Sequence, residues 1–282
     1  MTQLVLTVPS VQEVADRLMS ADVRFRDETA PLGQLVSVDR QDAAERRRGD
    51  PNAIFLRFAA ALLERNVTGA SYFRRLDVFG SDFGDPASLT PEHAEAMLRE
   101  SGYRYPPTGA LALVEITAQL TAADFSWPDY FAEAEAKWES GFDDDPLKQI
   151  KGVGDKTRDF ALSEFSDYYC APDLHVCRMM ARTGLILRGL GDPGISTVDY
   201  GFVRKVIGQL ARSTGWPESA DGLSPAHIDR MFWYYGQDRN RCAATPHCDA
   251  CPASDLCLTA GCTPQKLIGA PEGLQRASLA VP

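Results

Sequence analysis

Apolar residues recur with helical spacing near the N-terminus and again after Pro51. Positions 11, 14, 15, 18 and 19 are apolar, and Ser10 followed by Glu13 has the pattern of a capping box. A strongly apolar run over 53–63 follows Pro51. Neither segment shows the strict alternation of a half-buried strand. The pattern therefore predicts two helices in this part of the chain.

Further helices are predicted in the middle of the chain. Thr90 and Pro91 are the residue types expected at a helix cap and in a first turn. Apolar periodicity predicts helices over 108–120 and 128–140. Residues 22–50 show no such pattern and are expected to be irregular, and no two segments have the pattern of paired strands. The sequence thus predicts an all-α protein.

Composition and charge narrow the class of protein. The chain has 282 residues, 44% of them hydrophobic, enough for one large core or two moderate ones, and two lobes are expected. The formal net charge of −10 argues against a broad basic face that coats nucleic acid, but it still allows a narrow basic patch. The run Glu45-Arg-Arg-Arg48 is interpreted as solvated charge.

The sequence has no feature of a secreted or membrane protein. No apolar run reaches membrane-spanning length, and no basic residue precedes the short apolar stretch at the N-terminus. A cytoplasmic protein without a membrane partner is expected. In a reducing compartment, clustered cysteines point to metal binding or catalysis rather than to disulfides.

The segment from Leu147 to Leu162 has the pattern of a helix, a tight turn and a second helix. Gly152 and Gly154 allow the sharp turn, and Val153 between them can anchor it in the core. Uncovered N–H groups at the start of the second helix would suit a phosphate. The alternative is an ordinary two-helix turn.

Two polar residues near this turn have both a structural and a chemical interpretation. Asp173 follows a proline and precedes an apolar-periodic run, so by itself it is a natural N-cap. Lys156 by itself is a solvated helix lysine. A fixed carboxylate and an amine are also the groups that acid–base and nucleophilic catalysis use.

Four cysteines near the C-terminus have the spacing Cys242-x5-Cys248-x2-Cys251-x5-Cys257. Four thiolates suit either a structural zinc ion or a [4Fe–4S] cluster. A zinc ribbon normally has two Cys-x2-Cys pairs, whereas this segment has one. The other cysteines, Cys170, Cys177 and Cys262, are interpreted as non-ligands.

Taken together, these motifs resemble the helix-hairpin-helix DNA glycosylases. The order is Gly-Val-Gly-x-Lys over 152–156, Asp-x-His-Val-x-Arg over 173–178, and then the four cysteines. The branch most similar to this chain is the iron–sulfur one typified by endonuclease III. The resemblance is best over 51–76, 140–185 and 242–257.

The resemblance implies roles for individual residues. Lys156 falls where bifunctional members carry the nucleophilic lysine, and Asp173 falls on the aspartate that the superfamily shares. Asn66 lies near the position of the residue that fills the gap left by the extruded base. Gly152, Val153 and Gly154 match the phosphate-binding hairpin, and Cys242, Cys248, Cys251 and Cys257 match the ligands of a [4Fe–4S] cluster, with zinc as the alternative.

The implied architecture is an all-α, two-lobed helix-hairpin-helix glycosylase fold. One lobe is a six-helix barrel with the hairpin over 48–166. The other joins 1–47 to 167–265 and carries the cluster loop, and 266–282 is expected to be a disordered tail. The implied partner is double-stranded DNA with a damaged or modified base, bound by a monomer.

The implied reaction is base removal followed by AP-lyase cleavage through a lysine Schiff base. Leu174 stands where the family commonly has Thr, and the turn over 103–107 departs from the endonuclease III pattern. These departures leave three alternatives open. They are a monofunctional glycosylase, a glycosylase specialised for a modified base, and a non-catalytic DNA-binding member of the fold.

Overall fold

A computed structural model describes residues 9–25, 28–64, 69–186, 200–237, 242–243 and 245–257. The chain divides into two compact units. One, here called the hairpin unit, comprises Gln41–Ala171, and the other, the cysteine unit, comprises Met1–Arg40 and Pro172–Pro282. Asn66, Cys262 and the tail over 266–282 lie outside the described residues.

The described elements are mostly helices. The hairpin unit contains α3 (Pro51–Leu62), α4 (Gly69–Asp82), α5 (Pro91–Glu100), α6 (Pro106–Leu120), α7 (Trp127–Ala136) and α8 (Asp155–Ser163). The cysteine unit contains α1 (Val11–Leu18), β1 (Asp22–Phe25), β2 (Glu28–Pro31), α9 (Leu174–Thr183), α10 (Tyr200–Ser213) and α11 (Pro225–Gly236). The boundary between the units falls within α2 (Leu32–Arg47).

Side-chain caps explain where several helices begin. The Ser10 hydroxyl accepts the N–H of Glu13, and the Glu13 carboxylate accepts the N–H of Ser10, so the predicted capping box is formed. The Thr90 hydroxyl accepts the N–H of His93 at the start of α5. These contacts satisfy backbone donors that a helix leaves open at its first turn. The predicted helix starts at Val11 and Pro91 are confirmed.

The apolar run after Pro51 forms the centre of the hairpin unit. Helix α3 packs against α4, α6 and α8. Phe58 on α3 is fully buried, and its ring contacts those of Trp127, Phe131 and Phe165. Burying one such side chain stabilises a fold by roughly 1.5–3 kcal/mol.

The cysteine unit is organised around α11. This helix packs against α1, α9, α10 and β1. It approaches α9 closely at Gly236, where an added Cβ would lie 3.1 Å from the carbonyl oxygen of His175. The Nδ1 atom of His175 lies 2.8 Å from the carbonyl oxygen of Gly236. The absence of a side chain at Gly236 therefore lets the two helices touch.

The expectation that 22–50 is irregular, without strand pairs, is wrong. Strands β1 and β2 form an antiparallel hairpin in which Val23 pairs with Ala30, and the Phe25 ring packs on Trp233 and Tyr234 of α11. Each strand has only four residues, too few for alternation to stand out. A short two-stranded ribbon forms here because α11 supplies its apolar partner.

The charge run that ends this segment is solvated only in part: Glu45 and Arg48 are exposed, whereas Arg46 and Arg47 bond inside the protein. Within α2, Arg46 donates to the carbonyl oxygen of Glu164 (3.0 Å), and Arg47 is paired with Glu135 through both guanidinium nitrogens. Arginine that bonds inside the protein leaves no apolar stripe in the sequence, so periodicity did not indicate α2. Among the described residues, no helix is long and apolar enough to cross a membrane.

Candidate active site and cysteine loop

The glycine turn is present, but its first arm is shorter than predicted. A single 3₁₀ turn (Pro146–Gln149) replaces the expected helix. The Asp145 carboxylate caps this turn at the N–H of Leu147, and the turn ends at Ile150, whose backbone is extended. Gly152 has a φ of 106°, a left-handed conformation that favours glycine. Val153 between the two glycines is buried in the core, as predicted.

The N–H groups at the turn are less open than the sequence suggested. The N–H of Val153 donates to the carbonyl oxygen of Ile150 (3.0 Å), and that of Gly154 donates to the Thr157 hydroxyl (3.0 Å). Asp155 opens α8 with a carboxylate, which Lys148 pairs at 2.7 Å. A phosphate at this turn would therefore need donors other than the amides of Val153 and Gly154.

A buried arginine of α8, Arg158, holds the segment that precedes the glycine turn in place. Arg158 is fully buried and donates to the carbonyl oxygens of Gly141 (2.6 Å) and Phe142 (2.8 Å) and to Asp159 (2.7 Å). It also lies 3.5 Å from Asp145, the residue that caps the first arm. Burial alone would lower the pKa of Arg158, but Asp159 and Asp145 raise it above its ordinary value. The charged network ties α8 to the first arm of the hairpin.

Lys156 is exposed on the first turn of α8. It acts electrostatically on Glu64, the residue two positions after the end of α3. Burial raises the pKa of Glu64 to about 7, while Arg75 and Lys156 oppose the rise and Glu164 adds to it. The Glu64 carboxylate accepts a hydrogen bond from Arg75 Nη1 at 3.0 Å. Sequence reasoning missed Glu64 and Arg75, because no motif marks a contact that helix packing creates.

A pocket of about 260 Å³ lies beside the turn. Its wall combines residues of the hairpin, the end of α3, the α5–α6 turn and the first part of α6, namely Leu63, Tyr103, Tyr105, Thr108, Gly109, Ala112, Lys151 and Gly152. The Tyr103 ring is buried with the Arg75 guanidinium 5.2 Å from its centroid, whereas Tyr105 is 44% exposed. Of the two aromatics in this unusual turn, only Tyr103 belongs to the core.

Asp173 belongs to the cysteine unit and caps α9. Its Oδ1 atom accepts the N–H groups of His175 (2.8 Å) and Val176 (3.2 Å), which fixes the half-buried carboxylate. The predicted N-cap role is confirmed. Leu174, which follows it, is 47% exposed. Lys156 and the glycines of the turn belong to the hairpin unit.

The four cysteines are half-buried, and three of them bond to other groups of the protein. Arg182 Nη1 donates to Cys242 Sγ at 3.3 Å, and the Cys257 thiol donates to the carbonyl oxygen of Arg182 at 3.0 Å. The Tyr235 hydroxyl donates to Cys251 Sγ at 3.2 Å. Burial raises the pKa of the Cys242 thiol; Arg182 opposes this, and Cys257 and Cys251 add to it, so these thiols are neighbours.

The thiols are of the right chemistry for a cluster or zinc, but their arrangement is not that of a ligand set. Within the described part of the chain, no three Cys, His, Asp or Glu side chains are arranged to hold a metal ion. To ligate a shared group, Cys242 and Cys257 would have to turn away from Arg182, and Cys251 from Tyr235. In the arrangement described here, these thiols do not form a ligand set for either group.

The mostly helical fold is shared with DNA glycosylases of known structure. The 8-oxoguanine DNA glycosylase of Thermotoga maritima is similar to the chain with a TM-score of 0.57 and 23% identity, covering 79% of this chain and 96% of that one. An 8-oxoguanine glycosylase/lyase of Methanocaldococcus jannaschii, in complex with 15mer DNA containing 8-oxoguanine, has a TM-score of 0.54 and 16% identity, covering 79% and 93%.

These likenesses confirm the predicted fold class. At such identities a shared fold is what the comparison establishes. No protein-family model matches the chain, and no curated protein matches it. The predicted iron–sulfur branch and the roles of individual residues stay predictions.

Proposed function

We propose that the protein is a DNA glycosylase that removes a modified base from double-stranded DNA and cleaves the resulting abasic site through Lys156. The observation that carries this proposal is the exposed Lys156 amine on the first turn of α8, directly after the glycine hairpin. The structural neighbours named as 8-oxoguanine glycosylases support it at the level of the fold. They make 8-oxoguanine the first substrate to test.

The proposed reaction begins with extrusion of the base, because its glycosidic bond is unreachable inside the duplex. Asn66, outside the described residues, is proposed to fill the gap. The neutral Lys156 amine attacks C1′ as the bond from C1′ to the base breaks, and the base leaves with a proton. The ionised Asp173 carboxylate stabilises the positive charge that develops on the sugar.

Strand cleavage follows from the covalent intermediate. Opening of the sugar ring gives a Schiff base between Lys156 and C1′. Loss of a proton from C2′ then drives elimination of the phosphate at C3′, and hydrolysis frees the lysine. Gly152, Val153 and Gly154 are proposed to hold the hairpin against the DNA backbone, with exposed Lys151 beside them as a cation for phosphate.

Borohydride trapping tests the lysine. The wild-type protein should form a covalent adduct with a duplex containing 8-oxoguanine or an abasic site, and Lys156→Ala should lose it. Asp173→Asn should lower base release by about 10²-fold or more, because the charge that stabilises the transition state is removed. Thermal unfolding of each variant controls for loss of the cap at α9. An adduct that persists in Lys156→Ala would rule out this nucleophile.

The same assays separate the alternatives. Base release without an adduct identifies a monofunctional enzyme. Release of other modified bases, but not of 8-oxoguanine, identifies a glycosylase with a different base specificity. The exposed Leu174 beside Asp173, where the family commonly has Thr, is the reason to test for it. Binding without release from any lesion duplex identifies a non-catalytic member of the fold.

We also propose that Cys242, Cys248, Cys251 and Cys257 hold a [4Fe–4S] cluster, which stabilises the loop rather than taking part in the reaction. The proximity of three of these thiols supports this, and the proposal requires their side chains to turn toward one another. Anaerobically purified protein should contain about four iron atoms per chain and absorb broadly in the visible range. Stoichiometric zinc without iron would instead identify a structural zinc site. Protein that contains neither iron nor zinc would rule out both the cluster and the zinc site.

A further inference from the structure

The pocket beside the glycine turn combines buried apolar residues with exposed polar ones, and all of them belong to the hairpin unit. The buried part of its wall is formed by Leu63, Tyr103, Gly109 and Ala112. The exposed part carries an aromatic ring, a hydroxyl and an ammonium group, from Tyr105, Thr108 and Lys151. An apolar cavity with a few polar groups is the usual form of a small-molecule site.

Tyr105 stands at a fixed place in this wall. It is the N-cap of α6, and two prolines follow it, of which Pro106 restricts the backbone of the residue before it. Its carbonyl oxygen accepts the N–H of Gly109 at 2.9 Å. The guanidinium of Arg104 lies over the Tyr105 ring, 5.3 Å from its centroid. A ligand that stacks on Tyr105 therefore has little backbone to order when it binds.

The size and the lining of the pocket favour one flat, polar-edged ring system. Its volume of about 260 Å³ lies just below the roughly 300–1,000 Å³ of pockets for drug-sized ligands. The Tyr105 ring supplies a stacking surface, and the Thr108 hydroxyl can donate or accept a hydrogen bond at the edge of the ligand. Lys151 adds a cation for a phosphate. A nucleobase with its phosphate has this combination of groups, and aromatic side chains stack on any base.

We propose that this pocket is a second base site: it binds an unpaired nucleobase of the bound DNA, other than the base that is excised, by stacking on Tyr105. This rests on the proposed function, in which Lys151 and Gly152 contact the DNA backbone. The proposed reaction itself supplies such a base, because extrusion of one base leaves its partner unpaired. Lys151 then holds the phosphate of the same nucleotide.

The test compares two duplexes that contain a tetrahydrofuran analogue of an abasic site, which the protein cannot cleave. In the first duplex the analogue faces thymine, which is unpaired. In the second it faces another analogue, so that no base is unpaired. Fluorescence anisotropy should show that the wild type binds the first duplex about fivefold or more tightly, because stacking of one base on an aromatic side chain contributes at least this factor.

Variants of the exposed wall assign the preference to the pocket. Tyr105→Ala should abolish it by weakening binding of the first duplex alone, whereas Tyr105→Phe, which keeps the ring, should retain it. Thr108→Trp should also abolish it, because a bulky side chain at this exposed position fills the pocket while Tyr105 is still present. Phe73→Leu is the matched control: Phe73 is a partly exposed aromatic residue of α4 outside the pocket wall, and its loss should leave the preference unchanged. Thermal unfolding checks that each variant is folded.

The outcomes separate this inference from the proposed function. Equal affinity of the wild type for the two duplexes, or a preference that Tyr105→Ala retains, overturns the inference, while an adduct that depends on Lys156 still supports the proposed function. A preference that Tyr105→Ala loses but Thr108→Trp retains places the base on the ring outside the pocket, and this also overturns it. A wild type that binds neither duplex and forms no adduct overturns the proposed function and the second base site with it.

Discussion

Glu64 illustrates how one buried carboxyl couples stability to pH. Its pKa is about 7 in the folded chain against 4.5 ordinarily, so folding favours the protonated form. Its contribution to stability is therefore full below pH 4.5 and is lost as the pH rises through 7. Arg75 limits this loss but does not remove it, because burial is the larger effect on the carboxyl.

Glu64→Gln should therefore become more stable relative to the wild type as the pH rises. Between pH 5.5 and 8.5 the difference in unfolding free energy should shift in favour of the variant by about 2 kcal/mol, as an upper figure from the two pKa values. Chemical denaturation at both pH values measures it, with Glu95→Gln as the control for the loss of one charge. A shift equal to that of the control would contradict the raised pKa.

Individual site residues differ in how far the sequence could identify them. Asp173 was recognisable as a cap, because its position before an apolar-periodic run is a local pattern, and the structure forms that cap. Glu64 and Arg75 were not recognisable, because their contact depends on how α3 and α4 pack. The cysteine spacing indicated metal chemistry, whereas the bonds of the thiols to Arg182 and Tyr235 depend on the fold of the cysteine unit.

At the scale of elements, α6 packs closely against α5 at Gly109, which lines the pocket. A Cβ added at Gly109 would lie 2.5 Å from Tyr103 Cε1 and 2.9 Å from Leu98 Cδ1. The aromatic ring cannot easily give way, because it is buried beneath the guanidinium of Arg75. Gly109 thus lets α6 approach α5 and leaves Tyr103 in the wall of the pocket.

Gly109→Ala should destabilise the protein by about 1–3 kcal/mol, the usual cost of overpacking a filled site. Gly80→Ala is the matched control, since it lies within α4 and an added Cβ there meets nothing within 4 Å. It should instead stabilise the protein by roughly 0.5–1 kcal/mol through the lower backbone entropy of alanine. Chemical denaturation of the two variants gives the comparison, and equal effects would argue against the close approach.

Elements with local signals were predicted better than elements held by distant partners. The starts of α1 and α5 follow from caps and prolines within a few residues. The hairpin of β1 and β2 was missed because its apolar partner is α11, at the other end of the chain. Helix α2 was missed because polar residues fill positions that an amphipathic helix gives to apolar ones, and some of their partners are far away in sequence, as with Arg47 and Glu135.

At the scale of the whole molecule, the proposed DNA binding depends on the net charge and on how many basic side chains are not already paired with carboxylates. The formal charge is −10. Several arginines of the hairpin unit are already paired with carboxylates inside it, namely Arg47, Arg57, Arg75 and Arg158. Their charges are neutralised locally, so they are poor candidates for phosphate contacts. On the proposed function, the protein should therefore bind DNA through the exposed cations that remain, of which Lys151 beside Gly152 is one.

Few phosphate contacts predict a weak dependence of affinity on salt. With about four contacts or fewer, log K against log salt should have a slope no steeper than about −4, because each contact releases roughly 0.9 counterion equivalents. Fluorescence anisotropy with a lesion duplex and Lys156→Ala, which leaves the substrate uncut, measures it. In that background Lys151→Gln should make the slope shallower by about one. Lys148→Gln should change it little, since Asp143 and Asp155 already pair Lys148. A slope near −8 would contradict the small number of phosphate contacts, and it would mean that more of the arginines of this protein reach the DNA.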